Sequence, residues 1–317
     1  MIPQILILII SLVLLVFSSG LFVKSSSKIA KQLGVSDLII GLTLVAIGTS
    51  VPELFSGIFA SISKQGSLTI GNVVGANVTN IAMIFGISLL MVIYLKKNED
   101  TLRELKFLFL VYILFFIFCL DLKITLFEGM ALLLMFVYYM FDVLRRKKKP
   151  EEYLKKHIKI HEIKEESHFN RIKNYFYFIL SLLVLIFSAK YLVSSAVDIA
   201  NFFNISKEGI GVLIAIGTTF PELSVTIQAA RKKFRGILVG DLIGSCIINI
   251  LLIIGVASVI SPIKFSSLIL YFNIPVLFLV AFIMYLFFKH HIKNQKVLSY
   301  SLIGFYFLFL ILELILI

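Results

Sequence analysis

The sequence predicts an all-α membrane protein with ten transmembrane helices in two inverted-topology repeats of five. Three observations carry that expectation. Of 317 residues, 59% are hydrophobic and only 15% charged, with a mean hydropathy of +1.02, which a soluble domain could not hide in its interior. Apolar runs long enough to cross a bilayer recur along the whole chain. Two motifs of the first half return in the second at one shared offset.

A span needs about 20 mostly apolar residues. Candidates fall at 3–23, 37–62, 68–94, 106–122, 124–144, 173–199, 208–230, 236–260, 266–288 and 297–317. The first has no basic segment before it and no small-x-small cleavage site after it, so it reads as a span and not as a signal peptide. A charged patch from 96 to 106 separates the third and fourth. Asp121 and Lys123 mark a tight turn between the fourth and fifth. The centre, about 145–173, mixes lysines with Glu151, Glu152, Glu162, Glu165 and Glu166 and reads as a solvated linker. The chain therefore divides into a first repeat, 1–145, a linker, 146–172, and a second repeat, 173–317.

The basic residues test the count. With ten spans, Lys64, Lys123, Lys190, Lys207 and Lys264 fall on one side, and every other one of the 30 lysines and arginines falls on the other. The positive-inside rule then sets the protein in the cell membrane with both termini outside and the central loop cytoplasmic. The net charge of +12 is a property of membrane-flanking loops and not of a nucleic-acid surface. His157 and His161 have a spacing that zinc could use, but they lie in the solvated loop. Cys119 and Cys246 sit in apolar stretches without ligand spacing and read as small hydrophobes.

The repeat carries the chemistry. Ala46-Ile-Gly48-Thr49-Ser50-Val-Pro52-Glu53-Leu54 recurs as Ala215-Ile-Gly217-Thr218-Thr219-Phe-Pro221-Glu222-Leu223. Gly71-Asn-Val-Val-Gly75-Ala76-Asn-Val-Thr-Asn80 recurs as Gly240-Asp-Leu-Ile-Gly244-Ser245-Cys-Ile-Ile-Asn249. Five spans before the linker and five after make the second copy enter from the opposite side, the architecture of secondary transporters with a site at mid-membrane.

Glu53 and Glu222 read as the only acidic residues deep inside spans. A carboxylate there costs about 3 kcal/mol or more, so function is the default reading, against a structural pairing with a lysine. Pro52 cannot donate to the Gly48 carbonyl and Gly48 weakens the same turn; Pro221 and Gly217 repeat this, so both helices should break and free carbonyl oxygens. Thr49 lies four residues before Glu53, and Thr218 four before Glu222, which on a helix places each pair on one face. The Gly71-x-x-x-Gly75 and Gly240-x-x-x-Gly244 spacings suit close helix packing. Asn80 and Asn249 would supply amide oxygens or hold the glutamates.

An all-oxygen set without cysteine or histidine selects hard cations. Two ionised glutamates need two positive charges, from one divalent or two monovalent ions. Without them the pair could not cross between conformations in a low-dielectric interior. That points to an obligatory cation exchanger, not to an enzyme.

With these residues in place, the chain resembles the sodium/calcium exchanger family, within the cation/calcium antiporter superfamily, in its compact prokaryotic form. The resemblance rests on the paired motifs Gly48 to Glu53 with Gly75 to Asn80, and Gly217 to Glu222 with Gly244 to Asn249; the two repeats span 41–86 and 209–255. It implies calcium ligation by Glu53, Glu222, Thr49 and Thr218. It implies sodium sites using Glu53, Glu222, Ser50, Thr219, Ser245 and the carbonyls of Ala46 and Ala215. Ala76 stands where a serine hydroxyl is common, Thr219 where serine is usual, and Asn249 where potassium-dependent relatives carry aspartate. Calcium and sodium are the partners expected beside the lipid bilayer, with no cofactor, no nucleic acid and a monomeric chain. Calcium–proton antiport and, from another class, a passive cation channel are the competing readings.

Overall fold

The computed structural model describes residues 2–62, 64, 66–92, 99–146, 168–202, 217–290 and 294–316. The two histidines considered for zinc, most of the linker, and Ala215 lie outside the described residues.

α1 (Ile2–Leu33) runs well past the expected 23. The Ser25 and Ser26 hydroxyls donate to the Leu21 and Phe22 carbonyls, at 2.9 and 2.7 Å, so polar side chains stay on the helix without exposing backbone. Lys24, Lys28 and Lys31 are helical as a result, not in a loop. The helix stops at Gly34, whose φ of 64° only glycine adopts freely.

The span expected at 37–62 is two helices. α2 (Asp37–Thr49) and α3 (Val51–Ile62) meet at a 46° bend. Ser36 caps α2, accepting from the Ile39 amide at 3.2 Å, and residues Gly41–Val45 are π-helical. Next come α4 (Gly66–Met91), α5 (Glu99–Phe118), strand β1 (Lys123–Ile124) and α6 (Leu126–Arg145), opened by a Thr125/Glu128 capping box. The second half has α7 (His168–Phe202), α8 (Phe220–Arg231), α9 (Arg235–Ile260), β2 (Ile263–Lys264), α10 (Ile269–His290) and α11 (Gln295–Leu316).

The protein is therefore a helical, multi-pass membrane protein. Among the described residues, seven helices are long and apolar enough to cross a membrane, and the bent pair α2–α3 makes an eighth. Of the ten candidates, the remaining two are α5, whose first turns carry Arg103, Glu104 and Lys106, and α8, whose upstream part lies outside the described residues.

α9 forms the centre: every residue from Ile237 to Ile248 is buried. Such a helix belongs to a core on all sides. It touches α2 through glycines. A Cβ on Gly240 would come 2.5 Å from the Leu38 carbonyl oxygen, and one on Gly244 would come 2.8 Å from Ala46 Cβ. The equivalent positions Gly71 and Gly75 meet no described residue, so the packing expected of both glycine pairs is seen for one. α1 and α7 lie side by side, with Phe22 stacked on Phe178 at 4.9 Å. Their outer faces expose Phe17, Phe176 and Phe187, apolar surface suited to lipid.

β1 and β2 pair antiparallel, Lys123 opposite Lys264, and Gly66 packs on Ile263, so three connections share one end of the bundle. Asp37 meets Gly236 at the other end of α2, where Lys232 donates to the Gly20 carbonyl. Glu104, buried, pairs with Arg146 and accepts from Tyr139 at 3.1 Å, joining α5 to α6.

Backbone events recur at the repeat's offset. Ser50 has φ −81° and ψ 6°, and Thr219 φ −88° and ψ 3°. Lys64 and Lys233, each just after the following helix, take positive φ of 57° and 63°. Residues Thr79–Ile84 and, one residue beyond that offset, Asn249–Ile254 are both π-helical. Similar sequence thus makes the same break, stop and widened turn twice.

Candidate functional site

Both motifs place their glutamate in the first turn of the helix that starts after the break: Glu53 in α3 and Glu222 in α8. Helix N-termini favour negative charge, and Pro52 and Pro221 at these starts lack the N–H that would continue the preceding helix. Each glutamate is 1% exposed, and the two are close enough for their charges to interact. Among the described residues, neither oxygen of Glu53 and only one of Glu222 has a hydrogen-bond partner. That one, Oε1, accepts from the Ser50 hydroxyl at 3.5 Å.

The threonines reach the site by a different route from the one their spacing suggests. The breaks at Ser50 and Thr219 fall between each threonine and its glutamate, so the four-residue helical face does not exist. Instead each threonine faces the other copy's glutamate: Thr49 acts on Glu222 and Thr218 on Glu53. Thr49 ends α2 and Thr218 precedes α8, and the bend directs each hydroxyl across the interface.

A third acid was missed. Asp241 is 0% exposed in α9, and its charge reaches both glutamates. Glu53 and Glu222 are therefore not the only buried acids of the spans. Asp241 Oδ1 accepts from the Thr49 hydroxyl at 3.0 Å, and Thr49 Oγ1 lies 3.4 Å from Ser245 Oγ. The Gly240-x-x-x-Gly244 spacing reads as packing and hides the acid between the glycines. What brings Asp241 inward is the close approach those glycines allow. The position 169 residues earlier is Asn72, which accepts from Thr218 at 3.4 Å.

Asn249 donates through Nδ2 to Asn77 Oδ1 at 2.9 Å, which leaves its own Oδ1 buried and, among the described residues, unpartnered. Both polar atoms of Asn80 are in the same condition. Asn77, absent from the expected set, anchors this network by donating to the Cys246 carbonyl at 3.0 Å. The signal available in the sequence was an asparagine in one copy opposite a cysteine in the other, a pair that the repeat alone does not flag. Ser245, Thr219 and Ala46 are buried. The Ala46 carbonyl accepts from the Ser50 amide at 3.1 Å and the Thr49 hydroxyl at 3.3 Å. Gly48 packs under Leu182 and Phe22, and Gly217 is buried.

Among the described residues, no three acidic, cysteine or histidine side chains converge tightly enough to hold a metal by themselves. The donor set is carboxylate, hydroxyl and amide oxygen. Buried carboxylates without basic partners are costly unless a cation shares the site, and oxygen donors of this kind suit a hard one.

The profile of the family described as "Sodium/calcium exchanger protein" matches residues 3–144 and 173–315. The chain is 34% identical to the sodium/calcium exchanger MaX1 of Methanosarcina acetivorans, across 96% of this chain and 97% of that protein. It is 30% identical to the inner membrane protein YrbG of Escherichia coli, across 80% and 79%. Among solved structures it is similar to the sodium-calcium exchanger NCX_Mj soaked with 10 mM Na+ and zero Ca2+, with a TM-score of 0.85, 26% identity and 97% of each chain covered. Both halves of the chain fall within the family profile, and the likeness in sequence and fold extends from end to end: this chain belongs to the sodium/calcium exchanger family.

Proposed function

We propose that this protein is a secondary antiporter that exchanges Ca2+ for Na+ across the cell membrane by alternating access. One observation carries the reading: Glu53 and Glu222 are buried together, and among the described residues no basic side chain pairs with them. Buried carboxylates need positive charge beside them before the site can move through a low-dielectric interior. Ca2+ or Na+ supplies it, and an unloaded carrier does not move.

Calcium is held by Glu53, Glu222, Thr49 and Thr218. Sodium uses Ser50, Thr219, Ser245 and the carbonyls of Ala46 and Ala215 together with the glutamates. Asn80 and Asn249 support the carboxylates. The chain crosses the membrane ten times as two inverted repeats, 1–145 and 173–317, joined by a cytoplasmic linker, with both termini outside, and it works as a monomer. The paired ends support this topology. The connections at 64, 123 and 264 share one end, and the contacts of Asp37 with Gly236 and Glu104 with Arg146 belong to the other, as ten spans require.

Flux into vesicles tests the reading. Calcium uptake should follow an outward sodium gradient and stop when sodium is replaced by potassium or choline. Uptake driven by a proton gradient without sodium would mark calcium–proton antiport. Uptake with no counter-ion would mark a channel.

A further inference from the structure

A groove of about 580 Å3 lies between α1, α7 and α8, and none of the proposed cation ligands lines it. Its walls are apolar: Leu14, Phe17 and Leu21 of α1 face Leu180 and Val184 of α7. Phe17 is 77% exposed, so the groove opens toward the lipid side. The two serines in the lining add little polarity. Ser18 donates to the Leu15 carbonyl at 3.1 Å and Ser181 to the Tyr177 carbonyl at 2.6 Å, each within its own helix.

The charges of the groove gather at one end, where Lys24 of α1 stands beside Lys232 at the end of α8. From Leu14 to Lys24 the helix rises about 15 Å, the depth of one leaflet of a hydrocarbon core about 30 Å thick. The lining is therefore apolar for the length of a lipid tail and cationic at the level of a head group. Lys232 donates to the Gly20 carbonyl, which holds its ammonium beside α1 without neutralising it. The two lysines are near enough for their charges to repel. Among the described residues neither has an acidic partner. Asp37, the acid nearest that end of α2, accepts from Ser27 at 3.3 Å and interacts with Lys31 instead. Two cations held side by side are stabilised by an anion between them, and basic pockets between membrane helices bind lipid head groups.

We propose that this groove is a binding site for one anionic phospholipid. An acyl chain lies along Leu14, Phe17 and Val184, and the phosphate sits between Lys24 and Lys232. A zwitterionic lipid of the same chain length fits the walls but sets its own cation against the lysines, so the site prefers a head group with net negative charge. The occupant joins α8, whose first turn carries Glu222, to α1 and α7.

The test counts lipids on the purified protein in detergent by native mass spectrometry, titrating dioleoyl phosphatidylglycerol against dioleoyl phosphatidylcholine. One phosphatidylglycerol should be retained about 25-fold more tightly, at about fivefold for each lysine. Lys24→Gln with Lys232→Gln should reduce that preference to about twofold or less and leave phosphatidylcholine binding unchanged. Lys289→Gln with Lys296→Gln removes the same charge elsewhere and should leave the preference intact. Val184→Trp fills the groove and should weaken both lipids alike, and inorganic phosphate should not displace the bound lipid. Thermal unfolding without added lipid checks that each variant folds. Should the loss of the Lys232 contact to Gly20 prevent folding, Lys24→Gln alone still decides, with an expected loss of about fivefold. Equal retention of the two lipids by the wild type overturns the proposal, as does an equal loss in the control pair, which would mark diffuse attraction. Displacement by phosphate would mark a free-anion site, and normal lipid binding by Val184→Trp would place the chain outside the groove; either result also overturns it.

Discussion

Asn77 and Cys246 hold each other's backbone: the Asn77 amide donates to the Cys246 carbonyl at 3.0 Å, and the Cys246 sulfur lies 4.0 Å from the Asn77 carbonyl oxygen. They are the same position of the repeat, 169 residues apart. α4 and α9 therefore cross where equivalent residues face each other. A self-matching contact of this kind is what a two-fold relation between halves produces. The two residues differ in side chain, so the crossing is not symmetric in chemistry. Only Asn77 can also bind Asn249, at 2.9 Å.

Asn77→Ala should lower stability by about 1–3 kcal/mol, because it leaves a buried carbonyl and the Asn249 amide without a partner. The melting temperature in detergent measures this. Cys246→Ser, which leaves the backbone carbonyl in place, should cost less.

Glu53→Gln and Glu222→Gln should each abolish sodium-driven calcium uptake while the protein stays folded. Removing one of the buried charges that hold a divalent ion costs about 3 kcal/mol or more, a loss of some 100-fold in affinity. Normal uptake by either variant would refute the assignment.

Ala76 is buried beside the asparagines of α4, where a hydroxyl would add a ligand oxygen. Ala76→Ser should raise apparent sodium affinity by about tenfold at most, the scale of one added polar contact. Sodium titration of calcium uptake provides the readout. An unchanged sodium dependence would show that this position does not face the ions.

Gly240→Ala should destabilise the fold by about 1–3 kcal/mol, since its Cβ would meet the Leu38 oxygen at 2.5 Å and the Leu42 nitrogen at 2.8 Å. Gly304→Ala is the control: no described residue stands within 4 Å of its Cβ. Equal melting temperatures for the two variants would contradict the close approach of α2 and α9.

Arg146→Ala leaves Glu104 buried without its cation and should cost about 3–5 kcal/mol. Pairing it with Glu104→Leu should recover most of that loss in the same unfolding measurement.

The amino-acid order alone determined that the protein lives in a bilayer, that its halves repeat, and that two glutamates follow helix-breaking prolines. These are local matters of apolar run length, a recurring motif and a missing N–H at Pro52 and Pro221. It did not determine which face each ligand takes. Four-residue spacing tied Thr49 to Glu53, but the break at Ser50 uncoupled them and turned Thr49 toward Asp241 and Glu222. Asp241 itself was legible only as one residue of a glycine-rich packing motif. Its inward place depends on how closely α9 approaches α2, which Gly240 and Gly244 permit but cannot specify without the partner helix. Contacts between residues far apart in the chain are set by how two surfaces fit. A periodicity read along one segment carries no information about the surface opposite.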